Sequence, residues 1–142
     1  VIDKAIEVHK LNKVECRTYN LSIHGNVDKN EVDRSSNIYV YGSDIPAIKR
    51  LEAEKPEYSE KIHPRYDYTV AEVIWAVREE MAINLEDILA RRIRLLFLDA
   101  RAAIECAPKV ASIMAQEMEK GKEWEEDEVK GFVTLAEGYI LK

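Results

Sequence analysis

Arg91, Arg92 and Arg94 form the one notable basic cluster in the chain. Guanidiniums present rigid forks of donors, so such a cluster could hold a phosphate or an acidic lipid headgroup. The spacing also has a plainer use. Asp87 lies one helical turn before Arg91, which makes an ordinary i,i+4 ion pair on a solvated face. Arg92 differs, because a helical wheel sets it among Leu85, Ile88 and Leu96, where an unpaired charge would cost too much to keep. Its expected partner is Glu80, which borders the stripe of Val73, Val77 and Met81 one helix earlier. The two should make a partly buried, hydrogen-bonded ion pair that fixes a helix crossing, with an architectural and not a catalytic role.

Other chemistries find less support. Cys16 and Cys106 are far apart with no CxxC, which suggests neither a zinc knuckle nor a disulfide framework, and both read as buried, inert thiols. His9, His24 and His63 are scattered, and no Glu-x-x-His pair exists to aim metal ligands inward. No G-x-S-x-G elbow occurs. The glycines at 25, 42, 121, 131 and 138 match no G-x-G-x-x-G spacing, so no pyrophosphate-binding turn is predicted. Tyr66, Tyr68 and Trp75 could stack a ring, though packing is the commoner use of such residues. No catalytic, cofactor-binding or metal-binding residue is assigned; the site residues are the structural pairs Glu80 with Arg92 and Asp87 with Arg91.

The elements that would position these residues are helical. A chain of 142 residues, 46% hydrophobic and 34% charged, can bury one core without staples. Its net charge of -6 argues against a nucleic-acid partner. Apolar stretches such as residues 95–98, flanked by Arg94 and Asp99, are far too short to cross a bilayer, so no membrane span is predicted, and a reduced cytoplasmic setting is the simplest reading. An opening helix runs from Val1 to about Leu11. An irregular connector follows to residue 42, with short extended pieces near residues 17–23 and 38–41.

From residue 43 the pattern is helical almost to the end: an all-α single domain of about five to six helices, over residues 43–142, behind an irregular segment at 1–42. Ser43 can cap a helix containing Ile45, Ile48 and Leu51. A short helix over 57–62 and a linker over 65–68 come next. Thr69 and Glu72 spell the T-x-x-E capping box, opening a helix over residues 70–83. Asn84 can cap a helix through Leu96, and Asp99 a long one over residues 100–120 that Pro108 should kink or break, with Gly121 past its end. The acidic run at 125–128 starts the last helix, at the positive end of its dipole.

The run YDYTVAEVIWAVREEMAINLEDILARRIR, residues 66–94, is similar to a stretch in the C-terminal domain of aerobic glycerol-3-phosphate dehydrogenases and glycerophosphate oxidases. The matching positions are Thr69, Glu72, Glu80, Asp87, Leu89, Arg91 and Arg92. Tyr41-Gly42-Ser43, Ala107-Pro108-Lys109-Val110-Ala111, Cys16-Arg17-Thr18 and His24-Gly25 also resemble that family. The resemblance implies a parent enzyme whose N-terminal FAD domain oxidises glycerol 3-phosphate to dihydroxyacetone phosphate and passes electrons to quinone or, in the oxidases, to oxygen. The chain itself would then hold no cofactor, and its partner would be the parent's FAD-binding catalytic domain. A homodimer, or a peripheral association with the inner face of the cell membrane, would come through the parent. The start at Val1 inside a helical pattern is read as a cut from something longer, with residues 1–11 belonging against the catalytic domain.

Overall fold

The computed structural model describes residues 1–28 and 33–141. The all-α class holds: helices carry the core, and the only sheet among the described residues is a two-stranded hairpin. Helix α1 covers Ile2–Val8 and buries nothing. The described residues of the connector after it form no strand; the expected extended piece near 38–41 lies instead in a 3-10 stretch, Asn37–Asp44, broken at Gly42. Helix α2 (Ile45–Glu54) buries Ile48 and Leu51. Ser43 does not cap it: the Ser43 hydroxyl accepts the Gly25 N–H at 3.2 Å.

The predicted helix over 57–62 and linker over 65–68 are replaced by a 3-10 turn, Pro56–Ser59, and a hairpin of β1 (Lys61–His63) with β2 (Tyr66–Thr69). The strands are antiparallel with an irregular register, Lys61 opposite Thr69 and His63 opposite Tyr66. Short runs of this kind give no alternation that would separate them from a helical turn. The hairpin carries Ile62 and Tyr68 into the core.

Helix α3 (Val70–Glu79) begins at the capping box, in which the Thr69 N–H donates to Glu72 Oε2 at 2.7 Å. The Thr69 hydroxyl gives its own proton to Glu52 at 3.2 Å. This helix is shorter than predicted. Met81 adopts a left-handed φ of 59° and stands 86% exposed, outside the stripe to which its spacing assigned it.

The predicted helix from Asn84 to Leu96 is divided. Asn84 Oδ1 does cap its start, accepting the Asp87 N–H at 2.8 Å. Residues Asp87–Arg92 then form a π-turn, and Arg94, with φ 59°, separates it from the short α4 (Leu95–Leu98). Helix α5 (Ala100–Glu117) starts at Asp99, whose carboxylate accepts the Ala102 N–H at 3.0 Å. It runs unbroken through Pro108, with alanines 102, 103, 107 and 111 fully buried on either side of the proline. Gly121 does not end it. Glu119 takes the left-handed position, and the amides of Glu119 and Lys120 bond back to the carbonyls of Gln116 and Ala115. Gly121 instead opens α6 (Lys122–Glu137), three residues before the acidic run.

Helix α5 is central, packing against α3, α4, the hairpin strand β1 and, most extensively, α6. Leu85, Ile88, Leu89, Leu95 and Leu96 are 2% exposed or less. Burying each contributes about 1.5–3 kcal/mol. That layer fixes the π-turn and α4 against the core, so whatever those elements present outward is held rigidly.

Candidate functional site

A cavity of about 650 Å³ lies where the 3-10 stretch, the end of α3 and residues 91–98 meet. Its walls include His24, Tyr41, Glu72, Glu80, Arg92 and Leu98. Irregular backbone builds it. Gly42 has φ 52° and ψ −118°, and a Cβ there would overlap the Gly25 carbonyl, so only glycine lets the connector cross the domain at this point. The Ser43 N–H donates to that carbonyl at 3.4 Å. This crossing sets His24 at the cavity mouth, where its Nε2 is 2.7 Å from Asp44 Oδ2.

A buried acid, Glu72, and a phenol, Tyr41, line the interior beside the part-exposed Glu80. Glu72 is 3% exposed and Tyr41 8%. Glu72 Oε2 serves the capping box, while Oε1 has no hydrogen-bond partner among the described residues. Burial pushes the Glu72 carboxyl above its usual range, against the pull of the Thr69 amide. Burial also raises the Tyr41 phenol, and the negative charges of Glu72 and Glu80 add to the effect. Tyr41 therefore stays protonated and acts as a donor or a rigid wall, not a base.

The arginines sort differently from one another. Arg91 meets Glu86 at 2.7 Å and Asp87 at 2.9 Å, the latter at the i,i+4 spacing. Arg92 Nε stands 3.1 Å from Glu80 Oε2. That contact is coulombic only, since Oε2 has no hydrogen-bond partner; the guanidinium donates from Nη2 to the Glu80 backbone carbonyl at 2.6 Å. The Arg92 side chain is 41% exposed, which corrects its expected place inside the apolar face. The π-turn is the reason: an i→i+5 turn inserts an extra residue and rotates every later position off a regular wheel. Arg94 is exposed, and its guanidinium has no partner among the described residues.

Elsewhere, Cys106 is buried, its thiol pushed up to about 12 by burial, but Cys16 is exposed, contrary to the expectation of a buried thiol. The Thr18 hydroxyl, 2.9 Å from Cys16 Sγ, holds that thiol below its usual range. His63 is 4% exposed and its Nε2 is 2.9 Å from Glu105, a link between hairpin and α5. Tyr66 and Tyr68 stack at 6.4 Å, and the Tyr66 hydroxyl donates to Asp99 at 3.0 Å. No group of three or more potential metal ligands gathers among the described residues. None of their helices is long and apolar enough to cross a membrane.

The described residues do not fit FAD. Its pyrophosphate needs a parallel strand, a glycine turn and a helix, whereas the sheet here is an antiparallel hairpin and Gly25 and Gly42 meet at a crossing of connector and 3-10 stretch. Sequence reasoning had missed Tyr41, Glu72, His24 and Asp44 as cavity residues. Glu72 was legible only as a cap and Tyr41 only as part of Tyr41-Gly42-Ser43; nothing marked the four as neighbours.

The family of the C-terminal domain of alpha-glycerophosphate oxidase matches residues 16–128. The chain is 31% identical to a probable mitochondrial glycerol-3-phosphate dehydrogenase of Caenorhabditis elegans, covering 82% of this chain and 19% of that protein. Its Dictyostelium discoideum counterpart is 36% identical over 63% of this chain and 14% of its own length. A glycerol-3-phosphate dehydrogenase of Mycobacterium leprae is 37% identical over 53% of this chain and 13% of its own. The chain thus spans less than a fifth of the length of these relatives. No solved structure matches it.

Proposed function

Because the chain belongs to the family of the C-terminal domain of alpha-glycerophosphate oxidase, we propose that it is the non-catalytic helical domain of a flavin-dependent glycerol-3-phosphate dehydrogenase. The parent oxidises glycerol 3-phosphate to dihydroxyacetone phosphate with FAD held in a separate domain. One observation carries the division of labour: the match covers residues 16–128, yet no described residue forms a pyrophosphate-binding turn. Quinone is the acceptor on this reading, since the relatives are called dehydrogenases, including those of Caenorhabditis elegans and Mycobacterium leprae. The family's oxidase name supports a second reading with oxygen as acceptor. In either case the parent is a cytoplasmic protein, peripheral to the inner face of the cell membrane where quinone serves.

The test compares the chain with the full-length polypeptide that contains it. The chain alone is expected to purify colourless and to leave glycerol 3-phosphate unchanged. The full-length protein should show a flavin spectrum that bleaches on adding that substrate, with reoxidation by a soluble quinone but not by oxygen with release of hydrogen peroxide. Flavin held by the chain alone, or a full-length protein without flavin, would overturn the proposal.

A further inference from the structure

The cavity is rimmed by apolar side chains that cover nothing: Val40 is 66% exposed and Leu98 65%. Next to Leu98, Phe97 is 60% exposed and rests edge-on against Tyr139 at 5.6 Å. Arg94, also exposed, lines the same cavity, and its guanidinium has no partner among the described residues. A concave surface with aromatic and aliphatic rim residues around an available arginine has the composition of a protein interface centre. The occupant that completes it carries a carboxylate.

The connector identifies that occupant. Tyr19, Leu21 and Ile23 are 89%, 63% and 72% exposed and alternate with Asn20 and Ser22. Period-two alternation is the pattern of a strand with one apolar face, here without a sheet to lie on. This strip runs directly into His24 and Gly25, which the Gly25–Gly42 crossing pins to the cavity wall. The family match begins at residue 16. From there to His24 the chain spans at most about 28 Å when fully extended. A domain joined ahead of α1 is tethered to this face through α1 and residues 9–16 as well, a linker still short enough to hold it here at high effective concentration.

We propose that the mouth of this cavity, with Val40, Arg94 and Leu98 at its centre and the strip Tyr19-Leu21-Ile23 as its extension, is the docking face for the catalytic domain of the same polypeptide, which meets Arg94 with a carboxylate and takes residues 17–23 as an added strand. This rests on the reading of the chain as one domain of a longer flavoenzyme. A second copy of the chain is disfavoured by the repulsion of two partners each at net charge -6, and an anionic lipid surface by the same net charge. The face explains why exposed apolar residues on two separate segments converge on one cavity.

Hydrogen–deuterium exchange on the chain alone and on the full-length protein tests it. Amides of residues 17–23, 37–44 and 93–98 should exchange about tenfold or more slowly in the full-length protein, while the outer face of α6 exchanges alike in both. In the full-length protein, Leu98→Asp or Arg94→Glu should return those segments toward the rates of the chain alone, and Arg94→Lys should keep most of the protection. Both positions are exposed, so the core is left intact, and an unchanged circular dichroism spectrum confirms that in each variant. Equal exchange in the two proteins, protection confined to another face, or protection in the chain alone that grows with its concentration would overturn the proposal. A full-length protein that protects these segments but binds no flavin would sink the flavoenzyme reading and leave the docking face standing.

Discussion

Replacing Gly42 with alanine tests the backbone crossing that builds the cavity wall. At φ 52° and ψ −118°, Gly42 occupies a region closed to side chains by local sterics. Strain of that kind costs roughly 1–3 kcal/mol. The added Cβ would also overlap the Gly25 carbonyl and approach Gly25 Cα at 3.3 Å, both backbone atoms that cannot rotate away. The connector must then lift off, breaking the Gly25 N–H bond to Ser43 Oγ and the Ser43 N–H bond to Gly25 O. Two exposed bonds of this type add about 1 kcal/mol together, at the low end of the usual range. The expected loss is about 2–4 kcal/mol, read as a lower urea midpoint at constant m. Two glycines serve as controls. Gly121 has extended backbone and open space around its missing Cβ, so Gly121→Ala should stay within about 0.5 kcal/mol of wild type. Gly131 lies inside α6 with equally open space, and Gly131→Ala should stabilise by roughly 0.5–1 kcal/mol. A Gly42→Ala loss no larger than that of Gly121→Ala would show that the crossing does not hold the connector.

Two further predictions follow from the cavity's charges. Glu80 and Arg92 are 22% and 41% exposed, so a double-mutant cycle with Glu80→Gln and Arg92→Leu should give a coupling of about 0.5–1 kcal/mol, well below that of a buried pair; zero coupling would mean that Arg92 acts through the Glu80 carbonyl alone. The folded-state carboxyl of Glu72 titrates above its unfolded counterpart, so its stabilising contribution is full below the ordinary carboxylate value and is lost as pH rises through the raised one. Glu72→Gln, which keeps an acceptor for the Thr69 amide, should therefore gain on wild type in urea midpoint as pH rises from about 4 to 8, and a parallel pH dependence would refute the burial argument.

Where local chemistry decided the structure, the sequence was readable. The Thr69 to Glu72 capping box and the Asp99 cap of α5 are side chains binding backbone amides within the same turn, and both helices start where those residues stand. Where tertiary contacts decided, it was not. Strands β1 and β2 are too short for periodicity to reveal, and Ile62 and Tyr68 reach the core because the hairpin folds against α5, a long-range fact. Cys16 was misjudged because cysteine is usually buried, an average that says nothing about a connector.

The failures of the helical wheel are the most informative. Its assignment of Arg92 and Met81 to apolar faces assumed regular helix, and both residues follow a break: the left-handed Met81 itself and the π-turn at Asp87–Arg92. Gly42 and the left-handed Arg94 add two more departures. Gly42 adjoins cavity-lining Tyr41, Met81 adjoins cavity-lining Glu80, and the π-turn ends in Arg91 and Arg92 on the cavity with Arg94 just beyond. Left-handed non-glycine residues cost about 1 kcal/mol or more each, and regular turns at these positions would have been the more stable solution locally. The firm apolar layer of Ile88, Leu89, Leu95 and Leu96 beneath them overrides that preference and keeps the shape. Among the described residues three such departures, at Gly42, Met81 and Arg94, lie on or next to this one cavity, which agrees with the proposal that it is the face the domain presents to the rest of the polypeptide.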